Sequence, residues 1–139
     1  MNVLFFLTPK SEVAHLQDDW TVRQGIEKME RSGYTALPLI DREGHYIGTV
    51  SEGDFLRLLK RRYDMNTRSA EAVSILAVKR RADIRPVSVD ATMEDLVRMA
   101  MNQNFVPVID DNQIFIGIVT RKDIIRFCYE KYVDKQSKE

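Results

Sequence analysis

A chain that carries one motif twice is constrained to fold as two copies of a single unit. Here Gly48-Thr49-Val50-Ser51-Glu52-Gly53-Asp54 returns as Gly117-Ile118-Val119-Thr120-Arg121-Lys122-Asp123, 69 residues later. Pro38 and Pro107, Asp41 and Asp110, and Arg57 and Arg126 keep the same offset. Nearer each N-terminus the offset becomes 71, as in Lys10 and Arg81, Asp19 and Asp90, and Thr21 and Thr92, so the second copy lacks two residues just before Pro107. Two copies of so long a period predict a pseudo-symmetric pair rather than a solenoid. The division is 1–60 for the first repeat, 61–73 for a polar connector, 74–133 for the second repeat and 134–139 for a polar tail.

Within the first copy, Asn2 to Leu7 reads as an apolar lead-in stopped by Pro9, and Lys10 to Leu16 as a strand. Thr21-Val22-Arg23-Gln24 has the form of a capping box, followed by Val22, Ile26 and Met29 on one helical face. Tyr34 to Ile40 and His45 to Val50 read as a hairpin turning at Asp41-Arg42-Glu43-Gly44, and a helix follows Ser51. The second copy repeats the order: strand Ile84 to Val89, helix Thr92 to Met101, hairpin strands Phe105 to Ile109 and Ile114 to Val119, helix Arg121 to Tyr132. The fold class is therefore mixed α/β, two β-α-β-β-α units packed with pseudo-two-fold symmetry. One unit of under about sixty residues is marginal alone.

Charge and cysteine content narrow the partners. With 21 basic and 21 acidic side chains the formal charge is zero, so no global field draws the chain to nucleic acid or an anionic membrane. Cys128 is the single cysteine, which excludes an intrachain disulfide and a multi-cysteine zinc site. Val3 to Leu7 is too short for a membrane span and lacks a basic leader, and the expectation is a cytoplasmic protein. Ser51-x-x-Asp54 and Thr120-x-x-Asp123 have the spacing of helix starts, where a hydroxyl caps and an acid favours the positive end of the helix.

The runs Leu37-Pro38-Leu39-Ile40-Asp41 and Val106-Pro107-Val108-Ile109-Asp110, each followed by Gly-x-x-Ser/Thr-x-x-Asp, make each unit resemble a CBS domain and the pair a Bateman module. Phe5-Phe6-Leu7-Thr8-Pro9-Lys10, Gly33-Tyr34-Thr35-Ala36 and Asn104-Phe105-Val106-Pro107 are similar to the stand-alone CBS proteins of Firmicutes that bind cyclic di-AMP. The resemblance implies a cleft with two pseudo-equivalent adenine-nucleotide sites. The first would join Lys10, Ser11, Val13, Ala14, Tyr34, Thr35 and Ala36 to Ile118, Thr120, Arg121, Lys122 and Asp123. The second would join Arg81, Ile84, Phe105 and Val106 to Thr49, Ser51 and Asp54. In that reading the helix start offers N–H groups to a phosphate and the carboxylate accepts from ribose hydroxyls. Lys10, Arg121 and Lys122 favour the first site, whereas Glu52 and Gly53 replace Arg121 and Lys122 in the second and make it the weaker.

Other groups have plainer readings. Lys79-Arg80-Arg81 reads as a solvated connector, with Arg81 matched to Lys10. His15 and His45 lack partners at metal-ligand spacing and read as strand residues. Cys128 reads as helix packing among Ile124, Ile125 and Phe127, and Met93, Met99 and Met101 as core or interface. The expectation is a non-enzymatic homodimer that binds cyclic di-AMP, AMP or ATP and signals occupancy to a regulated protein. A dimerisation module without ligand is the alternative. No base-nucleophile pair, carboxylate dyad or metal cluster marks an enzyme.

Overall fold

The computed structural model describes residues 2–62 and 68–137. Its strands are β1 (Thr8–Pro9), β2 (Leu16–Gln17), β3 (Ala36–Ile40), β4 (Tyr46–Ser51), β5 (Val87–Ser88), β6 (Phe105–Ile109) and β7 (Phe115–Thr120). Its α-helices are α1 (Val22–Ser32), α2 (Glu52–Arg61), α3 (Met93–Ala100) and α4 (Arg121–Ser137). One compact unit holds Ala14–Ile84 with Gln113–Phe115, and is called here the Asp54 unit. The other, the Asp123 unit, holds the chain up to Val13, Arg85–Asn112 and the chain from Ile116.

In the Asp54 unit, β2 runs parallel to β3 and β3 antiparallel to β4. The capping box expected at Thr21 is formed, its Oγ1 accepting from Gln24 N at 3.2 Å while Gln24 Oε1 accepts from Thr21 N at 2.9 Å. Gly33 closes α1 at φ 74°, a left-handed conformation that glycine adopts without a Cβ clash. Leu16, Val22, Leu37, Leu39, Val50, Phe55 and Ile75 form the buried cluster of this unit.

In the Asp123 unit the sheet order is β1-β7-β6-β5, with β5 parallel to β6 and β1 antiparallel to β7. Thr92 and Asp95 form the capping box of α3. Val3, Leu96, Val106, Val108, Val119 and Ile124 make its own buried cluster. Phe6 packs edge-on against Phe127, centroids 4.8 Å apart.

Four local expectations are corrected. The lead-in does not stop at Pro9, which instead lies in β1 opposite Gly117, at a sheet edge where its missing N–H costs nothing. Lys10 to Leu16 is not a strand: Lys10–Glu12 is a 3-10 turn, with Val13 N donating to Lys10 O at 3.1 Å, and only Leu16–Gln17 pairs. The Ile84 to Val89 strand shrinks to Val87–Ser88 because Pro86 has no N–H to give to a ladder. Finally, α4 continues through Ser137 rather than ending at Tyr132, since its last turns contain neither glycine nor proline. In the connector, Ser69–Ala72 forms a 3-10 turn and residues 63–67 lie outside the described residues.

Candidate functional site

The strand-to-helix junction of each repeat opens onto a cavity, and the two cavities are lined by repeat-equivalent positions of opposite charge balance. In the Asp54 unit, Ser51 Oγ accepts from Asp54 N at 3.2 Å and the Asp54 carboxylate accepts from Ser51 N at 2.9 Å. That carboxylate is 3% exposed, and it also accepts from Arg57 Nη2 and, at 3.1 Å, from Arg81 N. Its acceptor capacity is thus committed inside the protein. The adjoining cavity, about 410 Å³, is lined by Asp54, Arg57, Leu58, Arg61, Lys79, Arg80 and Arg81. Among the described residues, five cations against one carboxylate give this lining a formal charge of about +4. Lys79, Arg80 and Arg81 are exposed, as the connector reading of their run expected, and they also line this cavity.

Gly48 explains how Arg80 comes so close. The Arg80 guanidinium occupies the space that a Cβ on Gly48 would take. Beneath it Tyr46 donates to Ile84 O at 2.7 Å and shares a 2.8 Å hydrogen bond with Thr49 Oγ1, placing Thr49, Ile84, Ser51, Asp54 and Arg81 in one unit. Burial pushes the Tyr46 hydroxyl up to about 12, against the Thr49 hydrogen bond and the Arg80 charge. A folded pKa raised above the unfolded value of 10.0 leaves stability intact below pH 10 and removes it as pH climbs towards 12. Two pH units correspond to about 2–3 kcal/mol. Alkaline unfolding of Tyr46→Phe should show a flatter loss of stability between pH 10 and 12 than the parent; equal slopes would contradict it.

In the Asp123 unit the same junction is looser. Thr120 Oγ1 accepts from Asp123 N at 3.1 Å, and the Asp123 side chain, 29% exposed, lies 3.8 Å from Arg126 Nη1. The adjoining cavity, about 320 Å³, is lined by Phe5, Phe6, Leu7, Thr8, Asp123, Arg126, Phe127 and Glu130. Glu130 stands where Arg61 stands in the other repeat, and Thr8 where Lys79 does. Among the described residues, one cation against two carboxylates makes this lining acidic.

The remaining expected residues separate by unit. Lys10, Ser11 and Val13 lie in and after the turn that follows β1, and Ile118 is buried in β7 opposite Thr8. Lys122 is exposed on the first turn of α4. Arg121 donates from Nε to Ala100 O at 2.8 Å and lines an apolar groove with α3, as Glu52 lines the equivalent groove with α1. Neither residue, by whose charge the sequence ranked the sites, lines the two cavities beside Asp54 and Asp123. Phe105 is half-buried and Val106 fully buried in β6 of this unit. Ala14, Tyr34, Thr35 and Ala36 belong to the Asp54 unit, where Thr35 O accepts from Glu52 N at 2.9 Å and Ala36 pairs with Ser51. Tyr34 is 61% exposed, so its ring is not a core edge.

Sequence reasoning passed over Arg57, Arg61, Lys79 and Arg80; the signal was present in the offsets that align them with Arg126, Glu130, Thr8 and Pro9. It also missed the acid partners of His45, whose Nδ1 lies 3.0 Å from Asp41 Oδ2 and 3.5 Å from Glu43 Oε2. Among the described residues no three His, Cys, Asp or Glu side chains cluster as a metal site, and no helix is long and apolar enough to cross a membrane.

The family model for the CBS domain matches residues 7–61 and again residues 77–130. The chain belongs to the CBS-domain family. This CBS pair is 28% identical over 138 residues to an uncharacterised protein of Methanocaldococcus jannaschii, covering 98% of this chain and 47% of that one. It spans about half or less of the length of that and other curated relatives it matches. It is 22% identical over 121 residues to cyclic di-AMP receptor B of Bacillus subtilis, covering 87% of this chain and 82% of that protein. Among solved structures, CbpB in complex with c-di-AMP superposes with a TM-score of 0.85 at 24% identity, covering 100% of this chain and 91% of that one.

Proposed function

We propose that this CBS pair is a non-enzymatic sensor of adenine nucleotides, that cyclic di-AMP is its ligand, and that it passes ligand occupancy to a regulated protein. The observation that carries the reading is the state of the two motif carboxylates. Asp123 stands at a helix start with a hydroxyl beside it and, among the described residues, no side-chain donor closer than the Arg126 guanidinium at 3.8 Å, which leaves its oxygens open to ribose hydroxyls. Cyclic di-AMP receptor B and the c-di-AMP complex of CbpB, two CBS relatives, support the choice of nucleotide.

A second reading concerns the Asp54 cavity. A lining near +4 suits a ligand with more phosphates than a cyclic dinucleotide, so this cavity takes ATP or another nucleoside polyphosphate. This reading reverses the order in which the sequence placed the two sites.

Titration calorimetry separates these readings. Asp123→Ala should weaken cyclic di-AMP binding at least tenfold, about 1.4 kcal/mol, while leaving ATP binding unchanged. Arg80→Glu should reverse the pattern. Unchanged affinities for cyclic di-AMP, AMP and ATP in both variants would reject the assignment, and nucleotide turnover detected by chromatography would reject the sensor.

A further inference from the structure

We propose that the Asp54 cavity reads a phosphate chain alone, free of divalent metal and without regard to a base, so that inorganic tripolyphosphate is a ligand there in its own right. This rests on the cavity's taking a polyphosphate, the second reading above, and names which part of that ligand is recognised and in what form. Among the described residues the lining is charged almost throughout: Arg57, Arg61, Lys79, Arg80 and Arg81 surround Asp54, and Leu58 is its apolar member. None of these side chains carries an aromatic ring on which a base could stack. What they do supply is guanidinium forks and an ammonium, the groups that grip phosphate oxygens.

The carboxylate decides the form of the ligand. A Mg2+ ion on a protein-bound polyphosphate is usually shared between the phosphates and one or two carboxylates. Asp54 is the acid that the described residues place here, and both its oxygens are taken: Oδ2 accepts from Ser51 N, and Oδ1 from Arg57 Nη2 and Arg81 N. A Mg2+ carried in on the chain would find no free carboxylate to hold it and would stand among like charges. It would also cancel part of the negative charge that draws the chain in. The cations of the protein therefore do for the phosphates what the metal does in solution, with Arg80 let in close by the missing side chain of Gly48.

Titration calorimetry with sodium tripolyphosphate and with ATP, each in EDTA and in excess Mg2+, tests this. In EDTA tripolyphosphate should bind within about tenfold of ATP, and excess Mg2+ should weaken both about tenfold or more. ATP binding without tripolyphosphate binding would leave the ATP reading standing and overturn this one, as would affinities that Mg2+ leaves unchanged or raises. If neither ligand binds in EDTA, both readings fall together. Arg80→Glu should weaken tripolyphosphate about tenfold or more, whereas Arg98→Glu, which removes an exposed cation of α3 outside the cavity, should leave it unchanged. Equal losses in the two variants would mean diffuse attraction of a polyanion and would sink the site. Should Arg80→Glu fail to fold, Arg61→Glu, exposed at the end of α2, must weaken tripolyphosphate to the same degree or the proposal fails.

Discussion

Asp54→Ala should cost its unit about 3 kcal/mol, whereas Asp123→Ala, at the same position of the other repeat, should cost less than about 1 kcal/mol. The first carboxylate is buried and accepts from Ser51 N, Arg57 and Arg81 N, so its loss opens the cap of α2 and the tether of the following segment together. It also leaves Arg57 facing Arg61, Lys79, Arg80 and Arg81 without the one negative charge that the described residues place in that cavity. Asp123 is partly open to water and, among the described residues, its carboxylate faces a distant Arg126. Urea unfolding of the two variants against the parent measures the difference. Equal shifts in midpoint would show that both acids serve the fold alike and would remove the ground for treating Asp123 as the one kept available.

Gly117→Ala should be the more damaging of the two glycine substitutions that the repeat places in register. A Cβ there would run into the Thr8 carbonyl and lie 2.9 Å from Leu7 Cδ1, and the residue holds φ 154°, where a side chain is strained. Thr8 and Pro9 are the strand that pairs with β7, so relief of the clash means release of β1 and of the Phe6–Phe127 contact. The expected loss is about 3 kcal/mol, with faster amide exchange in residues 5–8. Gly48→Ala meets only the end of Arg80, a flexible side chain that can swing aside, and should cost about 1 kcal/mol or less. A smaller loss at Gly117 than at Gly48 would contradict the role given to β1.

The repeat made most of the secondary structure legible, because capping boxes and hairpin turns are local and each was written twice. Thr21/Gln24 forms the capping box that its spacing implied, and Ser51/Asp54 and Thr92/Asp95 form the same reciprocal bonds. The errors fell where nonlocal pairing decides. Pro9 is in a strand only because Gly117 lies opposite, and Leu16–Gln17 only because β3 does. Site residues followed the same division. Ser51, Thr120 and their acids were readable, whereas the direction of Arg121 depends on the Ala100 carbonyl, 21 residues away in the chain. The cations around Asp54 come from α2 and from the segment before β5, and no window on the sequence holds both.

The Asp123 unit is assembled from two segments that flank Ala14–Ile84, with Val3 and Phe6 packed among residues that follow Arg85. During synthesis Val3 and Phe6 therefore leave the ribosome long before their partners exist, while Ala14–Ile84 already carries nearly all of its own unit. Residues 3–7 must wait exposed and sticky until α4 emerges, so a product stalled before α4 would be a target for chaperones at that segment.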